Sequence, residues 1–239
     1  VIAMTKILFI VPPNLSYEKY VNPAENTRQV YKADGRLYGN LATDMPIGII
    51  SMSAYLKANI EGLDVRLIDF NIELNALDSF EAASFAEYFS AFLNERFGDF
   101  QPDIVGISSL FSPSYFNLLD LGRCARALFP EALVIAGGSV PSSMYTHVLK
   151  NCPEFDALCY GEGEKPLLDL VQADDRRAYI AASPSWITTR KISRGETFMH
   201  DFVDDLDELP FYDYALCDVE RYGINPAMTA YAAIEDKSN

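Results

Sequence analysis

Residues 103–108, DIVGIS, and residues 132–138, ALVIAGG, decide the fold. Each is a short run of β-branched and apolar residues with no polar alternation, and each ends on small residues. A strand that reads apolar on both faces is buried on both faces, the usual state in a parallel sheet covered by helices. Between the two runs, Ser114–Phe129 has the length and spacing of a crossover helix. The same alternation extends outward. Upstream lie Lys6–Val11 (KILFIV), closed by Pro12-Pro13, and Asp64–Asp69 (DVRLID); downstream lies Ala157–Tyr160. Between them the spacing predicts helices from Pro46 to Asn59, with Pro in the first turn where its missing N–H is harmless, and over Ser79–Phe97, Pro141–Leu149 and Gly163–Gln172.

Strands alternating with helices of this length form an α/β fold with helices on both sides of a parallel sheet. Right-handed crossovers then leave few topologies. Five strands favour the flavodoxin-like (Rossmann-type) order 2-1-3-4-5. Residues 1–172 are expected to form this domain. Over 173–239 the character changes: Ser185–Lys191 and Thr197–Phe202 read as a β-hairpin around Ser193-Arg194-Gly195. An acidic run, Asp204–Glu208, then Leu209-Pro210 and a polar tail follow, as in a connector that docks onto something outside this sequence. Asn14–Asp44 shows no period and reads as a lid, a binding loop or a disordered stretch.

The 239 residues carry 19 Lys+Arg against 34 Asp+Glu, a formal charge of −15. That balance argues against nucleic acid or an anionic membrane surface as partner. No stretch approaches the roughly 18 apolar residues of a membrane span, and a soluble, cytoplasmic protein is expected. The four cysteines (Cys124, Cys152, Cys159, Cys217) form no C-x-x-C pair and read as packing thiols. Two histidines, His147 and His200, build no metal centre by themselves and read as surface residues, and no catalytic residue stands out.

In an open parallel sheet, ligands bind beyond the carboxyl ends of the strands, where strand order reverses. The candidates are therefore Pro12-Pro13-Asn14, Asp69, Ser108-Ser109-Leu110-Phe111, Gly137-Gly138-Ser139 and Gly161-Glu162-Gly163-Glu164. Gly137-Gly138 exposes main chain to a large planar or nucleotide-like group. Ser108 and Ser109 offer hydroxyls in an apolar setting. Gly161 and Gly163 permit a tight turn at a helix start that can receive a phosphate or ribose. Each has a plainer reading as well: a turn for the glycines, a helix cap for Ser or Asp69. The phosphate motifs G-x-G-x-x-G and G-x-x-x-x-G-K-[ST] are absent after the first strand.

In order, KILFIVPPN, Pro46-Ile47-Gly48 with Ala54-Tyr55-Leu56, VRLIDFN, PDIVGISSLF, LVIAGGSVPS, FDALCYGEGEKPLLDL and DLDELPFYDY resemble the N-terminal cobalamin-binding domain of cobalamin-dependent radical SAM enzymes of the methyltransferase and cyclase type. The resemblance implies a corrin over the carboxyl edge of the sheet, with its nucleotide tail running down between strands and helices. Ser108 and Leu110 correspond to the S-x-L segment, Gly137-Gly138 to the glycine pair lining the tail, and Gly161–Glu164 to the tail's far side. The D-x-H-x-x-G motif, whose histidine ligates cobalt in mutases and methionine synthase, is replaced by Pro12-Pro13-Asn14. The lower cobalt face would then be free of histidine or approached by Ser109–Phe111. The cysteine triplet C-x-x-x-C-x-x-C that holds a [4Fe–4S] cluster with S-adenosylmethionine is also absent. The resemblance thus implies either an N-terminal fragment, with a radical SAM barrel in the same polypeptide beyond this sequence and a reaction that methylates or rearranges an unactivated carbon, or a stand-alone relic; the fragment is the reading favoured. By itself this chain would bind cobalamin and catalyse nothing. The rival reading is a flavodoxin-like domain for FMN, a nucleotide or a protein partner, without cobalamin.

Overall fold

The computed structural model describes residues 4–226. Its centre is a six-stranded sheet of β1 (Thr5–Val11), β2 (Leu63–Asp69), β3 (Ile104–Ser108), β4 (Leu133–Gly137), β5 (Ala157–Cys159) and β6 (Trp186–Ile187). The spatial order is 2-1-3-4-5-6, with the first five strands parallel and β6 antiparallel to β5. The expected five-strand order is present, and β6 adds an edge strand. The register sets Val11 beside Asp69 and Ser108 beside Gly137, so the carboxyl ends of neighbouring strands finish level.

Side chains alternate across the sheet, as period-two geometry requires. Ile7, Phe9, Ile104, Leu133 and Ile135 pack with Ile49 and Leu56 of α1 (Ile47–Asn59) and with Leu167 and Leu170 of the helix Glu164–Gln172. Leu8, Ile10, Val105, Val134 and Ala136 face the opposite layer. That layer includes α3 (Phe85–Phe97), α4 (Tyr115–Leu128) and α5 (Ser139–Asn151). A short α2 (Phe70–Ala76) follows β2 directly; Glu164–Gln172 is α6, and α7 (Arg176–Ala182) leads to β6. No helix among the described residues is long and apolar enough to cross a membrane.

Three expectations need correction. The helix expected over Ser79–Phe97 begins only at Phe85. Ser84 Oγ accepts from Glu87 N while Glu87 Oε2 accepts from Ala83 N at 2.8 Å, a reciprocal cap that fixes the start. Asn14–Asp44 is part of the core instead of a lid or a disordered stretch. It forms a one-turn helix, Tyr17–Val21, and a small hairpin, Gln29–Tyr31 with Leu37–Gly39. Tyr20, Tyr38 and Leu41 are buried, the Tyr20 ring packs on Phe80 and Phe85, and its hydroxyl donates to Leu74 O at 3.0 Å.

The hairpin expected over Ser185–Phe202 does not form. Trp186–Ile187 pairs with β5, and Thr188 caps a one-turn helix, Thr189–Ser193. The cause is Lys191, whose buried ammonium donates to the carbonyls of Ile180, Ser183 and Trp186 at 2.8, 2.5 and 3.0 Å. A strand would carry that ammonium away from the carbonyls it bonds, of which only Ser183 O has a second donor, Trp186 N at 3.3 Å. The expected polar tail, and the end of the connector past residue 226, lie outside the described residues.

Candidate functional site

A cavity of about 430 Å³ opens over the carboxyl edge of the sheet, on the side of α1 and α6. Its floor is Phe9, Gly106, Ile135 and Trp186. Gly106 is small because the Phe9 ring lies 3.0 Å from where its Cβ would stand. The indole nitrogen of Trp186 is buried and finds no acceptor among the described residues. One wall is the start of α1, with Ile47, Gly48, Ser51 and Met52; the other is Leu167 and Glu164 of α6. Ser51 Oγ donates to Glu164 Oε1 at 2.7 Å and ties the two walls together. Cys159 also faces the space, its thiol pushed up to about 12 by burial, with Glu164 and Asp201 adding to the effect, so it stays neutral. Such a mostly apolar pocket with a few polar groups, of roughly 300–1,000 Å³, is what small-molecule sites look like.

Of the residues expected at the site, Ser108, Leu110, Gly137, Gly138, Gly161, Glu162, Gly163 and Glu164 line this cavity together. Their glycines have different reasons to be glycine. A Cβ on Gly138, at φ +97°, would meet the Ser109 carbonyl oxygen at 2.6 Å, so the fold itself requires that glycine. Gly161, at φ +92°, lies under the His200 ring. A Cβ on Gly137 would meet only Cys159 Cβ at 3.7 Å, and on Gly48 nothing within 4 Å. Those two leave open space.

The other expected residues lie elsewhere, engaged by the fold. The Pro13 carbonyl accepts from Asn117 Nδ2 at 2.8 Å. Asn14 donates from its N–H to Asn71 Oδ1 and from Nδ2 to Ala42 O. Asp69 caps α2, its Oδ1 accepting from both nitrogens of Asn71. Ser109 is buried with its hydroxyl 2.6 Å from Ser114 Oγ. Phe111 is half exposed where a 3-10 turn begins, and Ser139 Oγ donates to Leu110 O. Among these, Asp69 follows its plainer reading as a helix cap.

Reasoning from strand ends missed α1 and the segment after residue 200. Gly48, an unusual residue in the first turn of a helix, was the available signal for the first. For the second it was the apolar spacing Val203, Leu206, Leu209, Tyr212, all of which line the cavity. This stretch finds its docking surface within the chain. Lys165 pairs with Asp201 at 2.7 Å, and Asp213 N donates to Ile50 O at 3.1 Å. Asp213 Oδ2 accepts from Ser53 Oγ at 2.7 Å and from Lys57 Nζ at 2.5 Å. Burial pushes the Asp213 carboxyl up, but these two bonds outweigh it and hold it below its ordinary value. His147 is exposed on α5, and His200 is exposed and stacked on Tyr160 with centroids 4.6 Å apart. Among the described residues no three His, Cys, Asp or Glu side chains are grouped to hold a metal ion.

The anaerobic magnesium-protoporphyrin IX monomethyl ester cyclase of Rubrivivax gelatinosus is 33% identical over 89 residues, covering 37% of this chain and 16% of the relative. An uncharacterized methyltransferase of Pyrococcus horikoshii is 24% identical over 219 residues, 91% of this chain and 40% of the relative. The hopanoid C-3 methylase of Methylococcus capsulatus is 27% identical over 170 residues, 70% and 29% of the two chains. The chain thus spans less than half the length of these relatives. Residues 40–171, more than half of the chain and most of the cavity lining, match the B12 binding domain, and the chain belongs to that family.

Proposed function

We propose that this chain is the cobalamin-binding module of a radical SAM methyltransferase acting on an unactivated carbon, and that the cavity takes the nucleotide tail of the cofactor. The observation that carries the reading is the cavity itself. It sits at the carboxyl edge of β1, β3, β4 and β5, is mostly apolar, and is widened at Gly48 and Gly137, where the fold would tolerate a larger residue. Ser108, Gly137, Gly138 and Gly161–Gly163 would border the tail, with Ile47, Gly48 and Met52 closing it from α1. Leu110 and Phe111, each about half exposed at the rim, offer an apolar surface beside the cavity mouth. When bound, cobalamin supplies a cobalt centre able to carry a methyl group; the protein supplies position and a dry pocket.

The family match ending at residue 171 supports a binding domain over 1–172 and a connector over 173–239. The names of the methyltransferase and methylase relatives support methyl transfer. The [4Fe–4S] cluster and S-adenosylmethionine would belong to a barrel in the same polypeptide. The test is to mix the chain with hydroxocobalamin, desalt it and record the visible spectrum. The parent should retain the corrin bands. Gly137→Leu, which fills the cavity without backbone strain, should lose them while keeping its thermal unfolding midpoint. A parent that emerges colourless removes the proposal.

A further inference from the structure

The segment after β6 covers the cavity with side chains that have little beneath them. Val203 is buried, but Leu206 is 70% exposed and Tyr212 is 42% exposed although both line the cavity. The acidic residues between them, Asp204, Asp205, Asp207 and Glu208, all lie in water. The segment is anchored at its two ends: Asp201 pairs with Lys165, and Asp213 bonds Ser53, Lys57 and the Ile50 carbonyl. The Asp213 anchor is the stronger built of the two, since Ser53 is fully buried and one carboxylate oxygen accepts both donors.

We propose that residues 203–213 form the fourth wall of the ligand cavity and that Asp213, by gripping Ser53 and Lys57 on α1, is the positioning residue for that wall, so that ligand binding and strap docking are one coupled equilibrium. This rests on the cobalamin reading above and adds a regulation to it. A ligand beneath the strap covers Leu206 and Tyr212, surface that is otherwise wet, and therefore binds the docked state better than the open one. Differential affinity of that kind shifts the docking equilibrium, and linkage makes the effect mutual: the ligand tightens docking by the same factor as docking tightens the ligand, so a strap loosened enough to open weakens the ligand. Because the chain continues past Asp213, occupancy of the cavity is passed on as the order of the strap.

The test uses the full chain, with hydroxocobalamin affinity read from visible absorbance and hydrogen exchange read on peptides spanning 203–214. Cobalamin should slow exchange in that segment of the parent. Asp213→Ala should speed exchange there without ligand and weaken cobalamin by about tenfold, the effect of losing a half-buried, charge-assisted pair of bonds. Lys57→Met, at a side chain 41% exposed, should weaken it by about threefold and covers the case in which the first variant unfolds. Parental affinity in both variants, or exchange in 203–214 that ignores bound cobalamin, overturns the coupling and leaves the cobalamin reading standing. A parent that binds no cobalamin overturns both.

Discussion

Asp69 is one of the strand-end candidates, and its geometry gives it a task that a pH titration can read. It is buried at the end of β2, where Oδ1 caps α2, Oδ2 has no well-placed hydrogen-bond partner among the described residues, and the nearby Tyr222 hydroxyl favours the carboxylate. Burial dominates and pushes the carboxyl up to about 6 from an ordinary 3.8, against the opposing hydrogen bonds of Asn71. The folded chain therefore holds this proton more tightly than the unfolded chain does. Stability from Asp69 is fully present at low pH and is lost as pH rises through about 6. At roughly 1.36 kcal/mol for each tenfold change in proton affinity, the loss is about 3 kcal/mol, of which about 2.5 falls between pH 4 and pH 7.5. Asp69→Asn keeps the cap oxygen and has no proton to lose. In urea unfolding, the variant should gain on the parent by roughly 2.5 kcal/mol between those two pH values, every other titrating group cancelling in the comparison. Hydroxocobalamin affinity should be unchanged, because Asp69 does not line the cavity. A gap between variant and parent that is the same at pH 4 and pH 7.5 refutes the burial argument.

Two further outcomes follow from the same kind of geometry. Lys191→Met removes the ammonium from the carbonyls of Ile180, Ser183 and Trp186, of which Ser183 O keeps the Trp186 N–H, and should cost about 2 kcal/mol, or roughly 4–8 °C in the thermal midpoint by calorimetry. Gly138→Ala, at φ +97° and 2.6 Å from a carbonyl oxygen, should lose about 2 kcal/mol or more in urea, whereas Gly137→Ala, with its nearest contact at 3.7 Å, should stay within about 0.5 kcal/mol of the parent.

The parallel sheet was legible because its evidence is local. The apolar runs of β1, β3 and β4 are bounded by small residues or prolines, and a strand buried on both faces has few other ways to read. Boundaries set by a single side chain were not legible in the same way. Ser84 caps α3 through the Glu87 N–H while Glu87 reaches back to the N–H of Ala83, and Lys191 cancels a hairpin because three carbonyls converge on its ammonium. Both depend on geometry that periodicity does not carry. Asn14–Asp44 failed for a related reason. Its tyrosines are spread without a period because they enter a core built by Leu74, Phe80 and Phe85, which come later in the chain.

The site was legible in part, and the glycine pair shows where the limit falls. Gly137 and Gly138 are neighbours on one rim and look alike as letters, yet they answer to different constraints. Gly138 is demanded by the protein: its φ and the Ser109 carbonyl exclude any side chain whether or not a ligand exists. Gly137 is demanded by nothing in the protein, and Gly48 on the facing wall is the same. Space that the fold does not need and does not fill is the better mark of a ligand, because a core elsewhere packed by Ile, Leu and Phe would gain from closing it. The functional signal in this chain is therefore the pair Gly48 and Gly137, far apart in sequence and joined only across the cavity. Read among its sequence neighbours, Gly137 looks like a turn glycine, and Gly48 stands out only as an unusual residue in the first turn of a helix. What separates them is the volume each would leave if the cavity were filled.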